Sequence, residues 1–548
     1  MKKLTIIIPF ANEKDEVENT IQSILSHSDQ DIDIIVINDA SDDNYDYSDS
    51  LQKYDIKYIV NKERLGIAAS RDLGVRLCET DYFLLLDAHM RFYDSTWASV
   101  LISELDKNPR MILCAQTKVL YKKENIIIEQ KGTETYWGAY VNLYSSIDYL
   151  EPKWSYLSFQ KQTPDSMTTQ MIPCILGAGY AASKHYWLYL NGLKGLLSYG
   201  NDEVLISLKA WLEGGVCKLL PQVVIGHIYR QVSPFKHYTE RRIYNRLYIC
   251  YLLCPYEYQK KLNAIEKIKY PQKYFEAWKL FYNNFDEIEL ERKKIEKIKT
   301  KDFSYFEAIN KSYMYKDKES RQKKEKYLIR SILYVLSCTN LNNINLIQEN
   351  LGVTLLLYYF GRYFKNQYIT KLADSFLNKI IEQANVGTPL NIANGLLGIG
   401  WGLCFLSQQK FIKNVDHILS ELDGKVIEIS PKRIQNVDLE YGLGGILLYV
   451  LCRLYNQQSS QIRFPQDYLF ELYIRAKEII ESDLYNLCPE IYIEYILWYE
   501  KRKIISPTYL YDILMLPGWN KYSKSSKDVS LNGLTGMCIE FIINNLEP

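Results

Sequence analysis

The chain has 548 residues, of which 47% are hydrophobic and 24% charged, and its formal net charge is +1. This length predicts two or three domains of about 100–200 residues each. The near-zero charge gives no general attraction to nucleic acid or acidic lipid, and no run reaches the ~18–20 apolar residues of a membrane-spanning helix. The 11 cysteines are scattered and the N-terminus has no signal-peptide pattern, so we expect a cytoplasmic protein with reduced thiols.

Strand and helix patterns alternate over residues 1 to about 100. The strand runs are continuously apolar, which is typical of a parallel sheet covered on both faces. Residues 110 to 230 continue as mixed α and β structure. The predicted strands are Leu4–Ile8, Asp33–Ile37, Lys57–Val60, Tyr82–Leu86, Met111–Thr117 and Val223–Ile228, and the predicted helices include Val17–Ser26 and Ser70–Cys78.

Strand patterns stop at about residue 240, and long amphipathic helices follow. Residues 256–325 mix acidic and basic side chains, which indicates a solvated helical connector rather than a nucleic-acid surface. Residues 326–548 carry a repeated glycine motif, which indicates a helical repeat in which each copy opens an apolar helix. The copies lie in ANGLLGIGWGLCFL, EYGLGGILLYVL and LNGLTGMCIEFI, with a weaker copy at Leu351–Thr354.

Polar residues follow the first three predicted strands. Pro9 and Glu13 lie in the motif PFANE, and Asp39 ends the second strand in INDASDD. A carboxylate at that position suits the edge of a base or ribose, although a capping role for Asp39 is the alternative. In GIAASRD, Gly66 and small residues allow a helix N-terminus to approach a diphosphate. Arg71 can pair with phosphate or hold nearby carboxylates, and a plain loop-to-helix junction is the alternative.

Asp87 and His89 follow the fourth predicted strand as an Asp-x-His pair. In an extended turn, residues two apart face the same way, so both side chains can reach one ion. A carboxylate and an imidazole suit Mn²⁺ or a similar divalent ion, which would neutralise a departing diphosphate. His227, in the run VVIGHIYR, is a candidate third ligand. A purely structural histidine is the alternative.

The run GNDEVLISLKAWLEGG places Asp202 and Glu203 at a predicted helix N-terminus. Acids at this position complement the helix dipole. Alternatively, one of them acts on the acceptor hydroxyl or the donor sugar. Gly177 and Gly179, in ILGAGYAAS, would let the backbone approach a sugar ring, although an ordinary turn also explains them.

Taken in order, these motifs resemble the GT-A glycosyltransferases of the family 2 type, nearest the polypeptide N-acetylgalactosaminyltransferase branch. The resemblance covers about residues 1–255 and implies an α/β, Rossmann-like GT-A domain with a UDP-sugar donor. It implies Mn²⁺ or another divalent ion as cofactor. The implied metal ligands are Asp87, His89 and His227, and the implied donor-binding residues are Pro9, Glu13, Asp39, Arg71, Asp87, Gly177 and Arg230.

The acid pair departs from the family pattern. The family usually reads Glu-Asp or Glu-Asn where this chain has Asp202-Glu203. The sequence therefore leaves open which acid acts as the base. It also leaves open whether transfer inverts or retains the anomeric configuration, because the two branches of the family differ in this respect.

The C-terminal glycine repeats resemble the α/α-toroid of lanthionine synthetase C-like proteins. Those enzymes hold Zn²⁺ with two Cys and one His, including a Cys-His dipeptide. This chain has no such dipeptide, and His417 is its only histidine beyond residue 237. We therefore expect an all-α, toroid-like domain without zinc-dependent cyclisation, which packs on the transferase or holds a peptide acceptor.

The sequence thus predicts a metal-dependent glycosyltransferase that moves a sugar from UDP-sugar to a hydroxyl or thiol of a peptide or glycan. The predicted domains are residues 1–255, 256–325 and 326–548. A catalytically decayed transferase that serves as a peptide-binding scaffold is the alternative. Nucleotidylyl transfer is a third reading, but it usually needs a glycine-rich, basic phosphate loop after the first strand, which PFANE is not.

Overall fold

A computed structural model describes residues 2–123, 126–129, 135–143, 148–156, 170–230, 233–314, 329–336, 350–385, 387–455, 464–482 and 489–502, together with residues 538, 539 and 542. The chain divides into two compact units. The first comprises Met1–Leu262 and Asn283–Lys316, and the second comprises Asn263–Tyr282 and Asp317–Pro548. The domain limits at residues 255 and 325 remain predictions.

The first unit is built on one mixed sheet of eleven strands in the described part of the chain. Their order is β3-β2-β1-β4-β10-β6-β11-β5, with β7 and β8 also beside β6 and β9 beside β8. The strands are β1 Leu4–Phe10, β2 Ile32–Asn38, β3 Lys57–Val60, β4 Tyr82–Leu86, β5 Met90–Phe92, β6 Met111–Lys123, β7 Ile126–Glu129, β8 Tyr136–Val141, β9 Pro152–Tyr156, β10 Gly179–Ser183 and β11 Val216–Tyr229.

Strands β1 to β4 pair in parallel, as the sequence predicts. Every residue of β1 is buried, because its β-branched isoleucines pack on both faces of the sheet. β1 continues through Pro9 to Phe10, two residues beyond the predicted end. Pairing with β4 stops at Ile7, so the missing N–H of Pro9 interrupts no hydrogen bond on that side.

Beyond β4 the sheet becomes mixed. Strand β10 runs antiparallel to both β4 and β6, and β6 and β11 run parallel to each other. Strand β5 pairs antiparallel with β11. The helices of this unit are α1 Glu16–Ser26, α2 Tyr47–Leu51, α3 Ile67–Leu77, α4 Trp97–Lys107, α5 Lys184–Tyr189, α6 Asp202–Glu213, α7 Thr239–Leu253, α10 Phe285–Ile298 and α11 Phe303–Tyr313. Two more helices, α8 Tyr256–Lys269 and α9 Pro271–Asn283, each have residues in both units. The predicted α/β class of the N-terminal part is confirmed.

The second unit is helical in its described part. Fully buried helices alternate along the chain with helices that bury one face. This alternation is the pattern of a helical repeat, and the predicted helix-rich class is confirmed. The helices are α12 Gly352–Tyr363, α13 Gln367–Gln383, α14 Leu396–Gln408, α15 Asp416–Ile427, α16 Leu443–Tyr455, α17 Gln466–Glu481 and α18 Pro489–Lys501.

The glycine motifs open buried helices, as predicted. Gly395 directly precedes α14 and Gly442 directly precedes α16. A Cβ on either glycine would collide with the carbonyl oxygen six residues earlier, which belongs to Pro389 or Asn436. Both loops therefore close in the same way and require glycine. The copy at residues 533–536 lies outside the described residues.

Within the described residues, no helix is both long enough and apolar enough to cross a membrane.

Candidate functional site

Three side chains converge at the carboxyl end of β4. Asp87 directly follows that strand, His89 precedes β5, and His227 lies in β11. Pairing of β5 with β11 brings the histidines together, with His89 Nε2 3.1 Å from His227 Nε2. His227 Nε2 is 3.5 Å from Asp87 Oδ2. In the described part of the chain, this is the one group of three His, Cys, Asp or Glu side chains whose ligand atoms all lie within 4.8 Å of one another.

The protonation states of this triad suit a metal ion. Burial lowers the pKa of both His89 and His227, which favours neutral imidazoles at neutral pH. Burial opposes ionisation of Asp87, but a hydrogen bond from His227 and the charge of Arg71 outweigh it and lower the pKa of Asp87. Neutral imidazole and carboxylate are the forms that bind metals.

The spacing of the ligand atoms also fits a divalent ion. Neighbouring ligands of an octahedral ion with bonds of about 2.1 Å lie about 3 Å apart. The distances of 3.1 Å and 3.5 Å within the triad are close to that value. Two imidazoles and one carboxylate form a donor set that suits Mn²⁺ or a related ion.

Glu13 and Arg230 lie directly behind the triad. Glu13 Oε2 is 3.4 Å from His89 Nδ1. Arg230 donates to both carboxylate oxygens of Glu13, with a distance of 2.8 Å to Oε1. Burial lowers the pKa of Arg230 to about 10, so it is still a cation at neutral pH. His89 Nδ1 is buried and makes no hydrogen bond to the residues that the structure describes, and Glu13 is the carboxylate beside it.

Arg71 joins the triad to the acid pair. Its side chain is 3% exposed and donates to Asp87 Oδ1 at 2.8 Å, to Asp202 and to the carbonyl of Gly177 at 3.1 Å. Burial opposes its charge, but Tyr180, Asp202 and Asp87 together raise the pKa of Arg71. Of its two predicted roles, the structure displays the pairing with carboxylates. Contact with the donor stays a prediction.

The acid pair opens α6, and its two members have different surroundings. Asp202 accepts from Arg71 and, at 3.2 Å, from the hydroxyl of Tyr180. Glu203 lies against Gly177, where a Cβ would come within 2.5 Å of its Oε1. Burial and the neighbouring Asp202 raise the pKa of Glu203 well above its ordinary value. This environment favours the protonated form of Glu203.

Asp39 holds the loop that leads into α3. Its Oδ1 accepts from Asn61 Nδ2 at 2.8 Å and from the N–H of Leu65 at 2.9 Å, and its Oδ2 accepts from the N–H of Gly66 at 2.8 Å. Gly66 has a φ of 91°, and a Cβ there would meet the backbone of Ser198 at 2.5 Å. Asp39 therefore binds the backbone just before α3, although it does not cap that helix in the sense of the predicted alternative. Its Oδ2 has a second lone pair that suits uracil, and uracil recognition stays a prediction.

A group of aromatic side chains adjoins the triad, and the sequence interpretation missed it. The ring of Tyr229 lies 4.5 Å from that of His227, and the ring of Trp154 lies 6.5 Å from it. Tyr136 stacks on Tyr156 at 4.6 Å. In the sequence, the cluster of aromatic residues in the segments TYW and KWSY could have revealed this group. We call Tyr121, Tyr136, Trp154, Tyr156 and Tyr229 the aromatic surface.

Sequence comparison finds a known family in the first unit. Residues 5–163 match the model of glycosyl transferase family 2. Human polypeptide N-acetylgalactosaminyltransferase 10 is 26% identical over 242 residues, which cover 42% of this chain and 38% of that protein. Polypeptide N-acetylgalactosaminyltransferase 3 of Drosophila melanogaster is 24% identical over 242 residues, or 42% of this chain and 35% of that protein. A mouse relative that is 24% identical over 255 residues, or 44% of this chain and 57% of that protein, is named inactive polypeptide N-acetylgalactosaminyltransferase-like protein 5.

Solved structures include two similar nucleotide-sugar complexes. GalNAc-T7 with UDP, GalNAc and Mn²⁺ is 20% identical, covers 56% of each chain and has a TM-score of 0.43. The mannosyltransferase PcManGT from Pyrobaculum calidifontis with GDP-Man and Mn²⁺ is 14% identical, covers 52% of this chain and 75% of that chain, and has a TM-score of 0.32. The chain spans about two fifths of the length of the first curated relatives it matches, and its residues 5–163 carry the match to glycosyl transferase family 2.

Proposed function

We propose that this chain is a metal-dependent glycosyltransferase with a GT-A domain, which moves a sugar from UDP-sugar to a hydroxyl or thiol of an acceptor. The observation that carries the proposal is the convergence of Asp87, His89 and His227 at the carboxyl end of β4 in the mixed sheet. An open α/β sheet binds ligands at the carboxyl ends of its strands. The match of residues 5–163 to glycosyl transferase family 2 supports sugar transfer as the reaction.

In this proposal Asp87, His89 and His227 hold Mn²⁺ or a related ion. The bound ion would supply positive charge that stabilises the diphosphate leaving group. Glu13 lies beside His89 Nδ1, where a carboxylate would orient the imidazole of a metal-binding histidine. Arg71 holds one oxygen of Asp87, and the other faces His227. The contact with Arg71 keeps Asp87 in place before the ion binds.

The donor nucleotide is proposed to lie along the ends of β1 and β2. Asp39 accepts a hydrogen bond from uracil, and Pro9, Glu13 and Arg230 line the nucleoside. The start of α3, held by Asp39 through the N–H of Gly66, favours the diphosphate because a helix N-terminus attracts anions. Gly177 is proposed to let the backbone approach the donor sugar.

The acid pair is proposed to handle the acceptor. The acceptor oxygen or sulfur bonds to the anomeric carbon, the bond from that carbon to the diphosphate breaks, and its electron pair leaves with UDP. The acceptor proton passes to a carboxylate. Since the surroundings of Glu203 favour its protonated form, Asp202 is the candidate base, and Glu203 donates a hydrogen bond to a bound sugar.

The acceptor is proposed to be a peptide or a glycan. The names of the curated relatives support a peptide. The matching glycine loops before α14 and α16 support a helical domain of the lanthionine synthetase C-like, α/α-toroid type at residues 326–548, joined to the transferase at 1–255 by residues 256–325. That domain is proposed to hold a peptide acceptor.

Hydrolysis of UDP-sugars with and without Mn²⁺ tests the proposal. A panel of UDP-sugars should release UDP only with the metal, and Asp87→Ala should lower the rate by at least about 100-fold because the metal loses a ligand. Asp55→Ala, which removes an exposed carboxylate on the loop before β3, should match the wild type.

Two results would contradict the proposal. Metal-independent release of UDP that survives Asp87→Ala would refute the metal assignment. If calorimetry detects no binding of UDP or Mn²⁺, the decayed-scaffold alternative holds instead.

A further inference from the structure

The aromatic surface is a continuous set of rings on four strands. Tyr136 stacks on Tyr156 at 4.6 Å and meets Trp154 edge-on at 5.2 Å. Trp154 lies 6.4 Å from Tyr229, and Tyr121 is directly opposite Tyr229 across β6 and β11. The rings therefore extend from the triad residue His227 outward to solvent.

The outer rings of this surface are more exposed than a packed core requires. Tyr156 is 45% exposed and Tyr121 is 43% exposed, while Tyr136 and Trp154 are partly buried. The hydroxyls of Tyr136 and Tyr156 lie 3.1 Å apart at an exposed position. Contiguous exposed aromatic surface next to a candidate site indicates ligand contact.

Most of this surface stands on strands other than those that precede the proposed nucleotide-binding acids. Asp39 and Glu13 follow β2 and β1, Asp87 follows β4, and the rings stand on β6, β8, β9 and β11. In the order of the sheet, Asp87 lies between the nucleotide-binding strands and β6, which carries the aromatic surface. Arg230, which directly follows Tyr229, pairs with Glu13, so the aromatic surface meets the proposed nucleotide site at the end of β11. A donor that reaches from β2 to Asp87 leaves the rings on β8 and β9 free for a second substrate.

The chemistry of the surface suits a sugar ring. A pyranose has an apolar C–H face, which packs on a flat aromatic ring, and a rim of hydroxyls, which hydrogen-bond to phenol groups. None of the five side chains that form the surface is charged. We propose that the aromatic surface binds a pyranose ring of a saccharide acceptor; its role as acceptor site rests on the proposed function.

Saturation-transfer NMR on the full chain tests the inference with methyl glycosides of glucose, galactose, mannose, N-acetylglucosamine and N-acetylgalactosamine. At least one should receive saturation from the wild type, and Tyr156→Ala should weaken its binding about tenfold through loss of ring stacking. Tyr156→Phe keeps the ring and should retain most of the affinity. The matched control is Tyr189→Ala, which removes a 47% exposed tyrosine on α5 and should bind as the wild type does.

Two outcomes overturn the inference. One is the absence of saturation transfer from every glycoside, or transfer that Tyr156→Ala leaves unchanged. The other is binding of an unglycosylated Ser/Thr peptide that depends on Tyr156 while the glycosides fail to bind.

Calorimetry with UDP and Mn²⁺ separates this inference from the proposed function. If the glycoside binds and UDP does not, the proposed function fails and the sugar-binding surface stands. If UDP binds and no glycoside does, the proposed function stands and the inference fails.

Discussion

At the scale of single residues, Arg71 determines how the charges of the site are arranged. One buried guanidinium holds Asp87, Asp202 and the carbonyl of Gly177. A buried cation of this kind is stable only when it is paired, so the triad and the acid pair depend on the same side chain. Lysine could not replace it, because a single ammonium lacks the planar fork that serves several acceptors at once.

The pKa of Glu203 leads to a prediction about stability and pH. Burial and Asp202 raise this pKa well above its ordinary 4.5. Above pH 4.5 the unfolded chain therefore releases a proton that the folded chain keeps, and the wild type loses stability as the pH rises. Glutamine does not titrate, so Glu203→Gln should gain stability relative to the wild type from pH 4.5 to pH 8.

Urea unfolding at pH 5, 6, 7 and 8 measures this difference. Gly424→Ala changes no titratable group, so its stability relative to the wild type should be the same at each pH. A Glu203→Gln difference that is constant or shrinks toward pH 8 would contradict the assigned environment of Glu203.

Some of these residue-level contacts were accessible from the sequence and some were not. Asp87 and His89 are two residues apart after an apolar run, so their proximity is a local pattern. The Arg71–Asp202 pair joins residues 131 apart, and the Glu13–Arg230 pair joins residues 217 apart. Opposite charges on elements that are far apart in the chain identify a pair only after the fold is known.

At the scale of elements, the close packing of Gly177 against α6 leads to a contrast between two glycines. A Cβ at Gly177 would lie 2.5 Å from Glu203 Oε1, whereas a Cβ at Gly424 in α15 would meet nothing within 4 Å. Gly177→Ala should therefore destabilise the fold by about 1–3 kcal/mol through overpacking. Gly424→Ala should stabilise it by about 0.5–1 kcal/mol, because alanine is the better helix former.

Urea unfolding of the two variants checks these opposite signs. In the same proteins, Gly177→Ala should also slow release of UDP from UDP-sugar, since Glu203 must move, while Gly424→Ala should leave the rate unchanged. Equal effects of the two substitutions on stability would show that Gly177 does not pack tightly on α6.

The elements differ in how far the sequence predicts them. Strands β1 to β4 follow from continuous apolar runs, and the helices after Gly395 and Gly442 follow from the repeated motif. The strands β5, β7, β8, β9 and β10 were not predicted. They are short, from three to six residues, and the residues of β7 are all exposed, so no hydrophobic alternation marks them.

At the scale of the whole molecule, every residue of the candidate site lies in the first unit. The first unit holds the triad, the acid pair and the aromatic surface, while the second unit consists of helices in its described part. Each unit has its own buried residues. We therefore expect a bound donor to contact the first unit and to stabilise that unit directly.

Hydrogen exchange on the full chain tests this expectation. UDP with Mn²⁺ at 100 times the dissociation constant should stabilise the bound form by about 2.7 kcal/mol, and the slowed amides should lie in Leu4–Phe10, Ile67–Leu77 and the first turn of α6. Amides of α14 and α16 should exchange at the same rate with and without ligand. Asp87→Ala should abolish the protection, because the ion that neutralises the diphosphate loses a ligand. Protection of α14 or α16 by UDP and Mn²⁺ would show instead that donor binding reaches the helical unit, and protection that persists in Asp87→Ala would locate the nucleotide away from the triad.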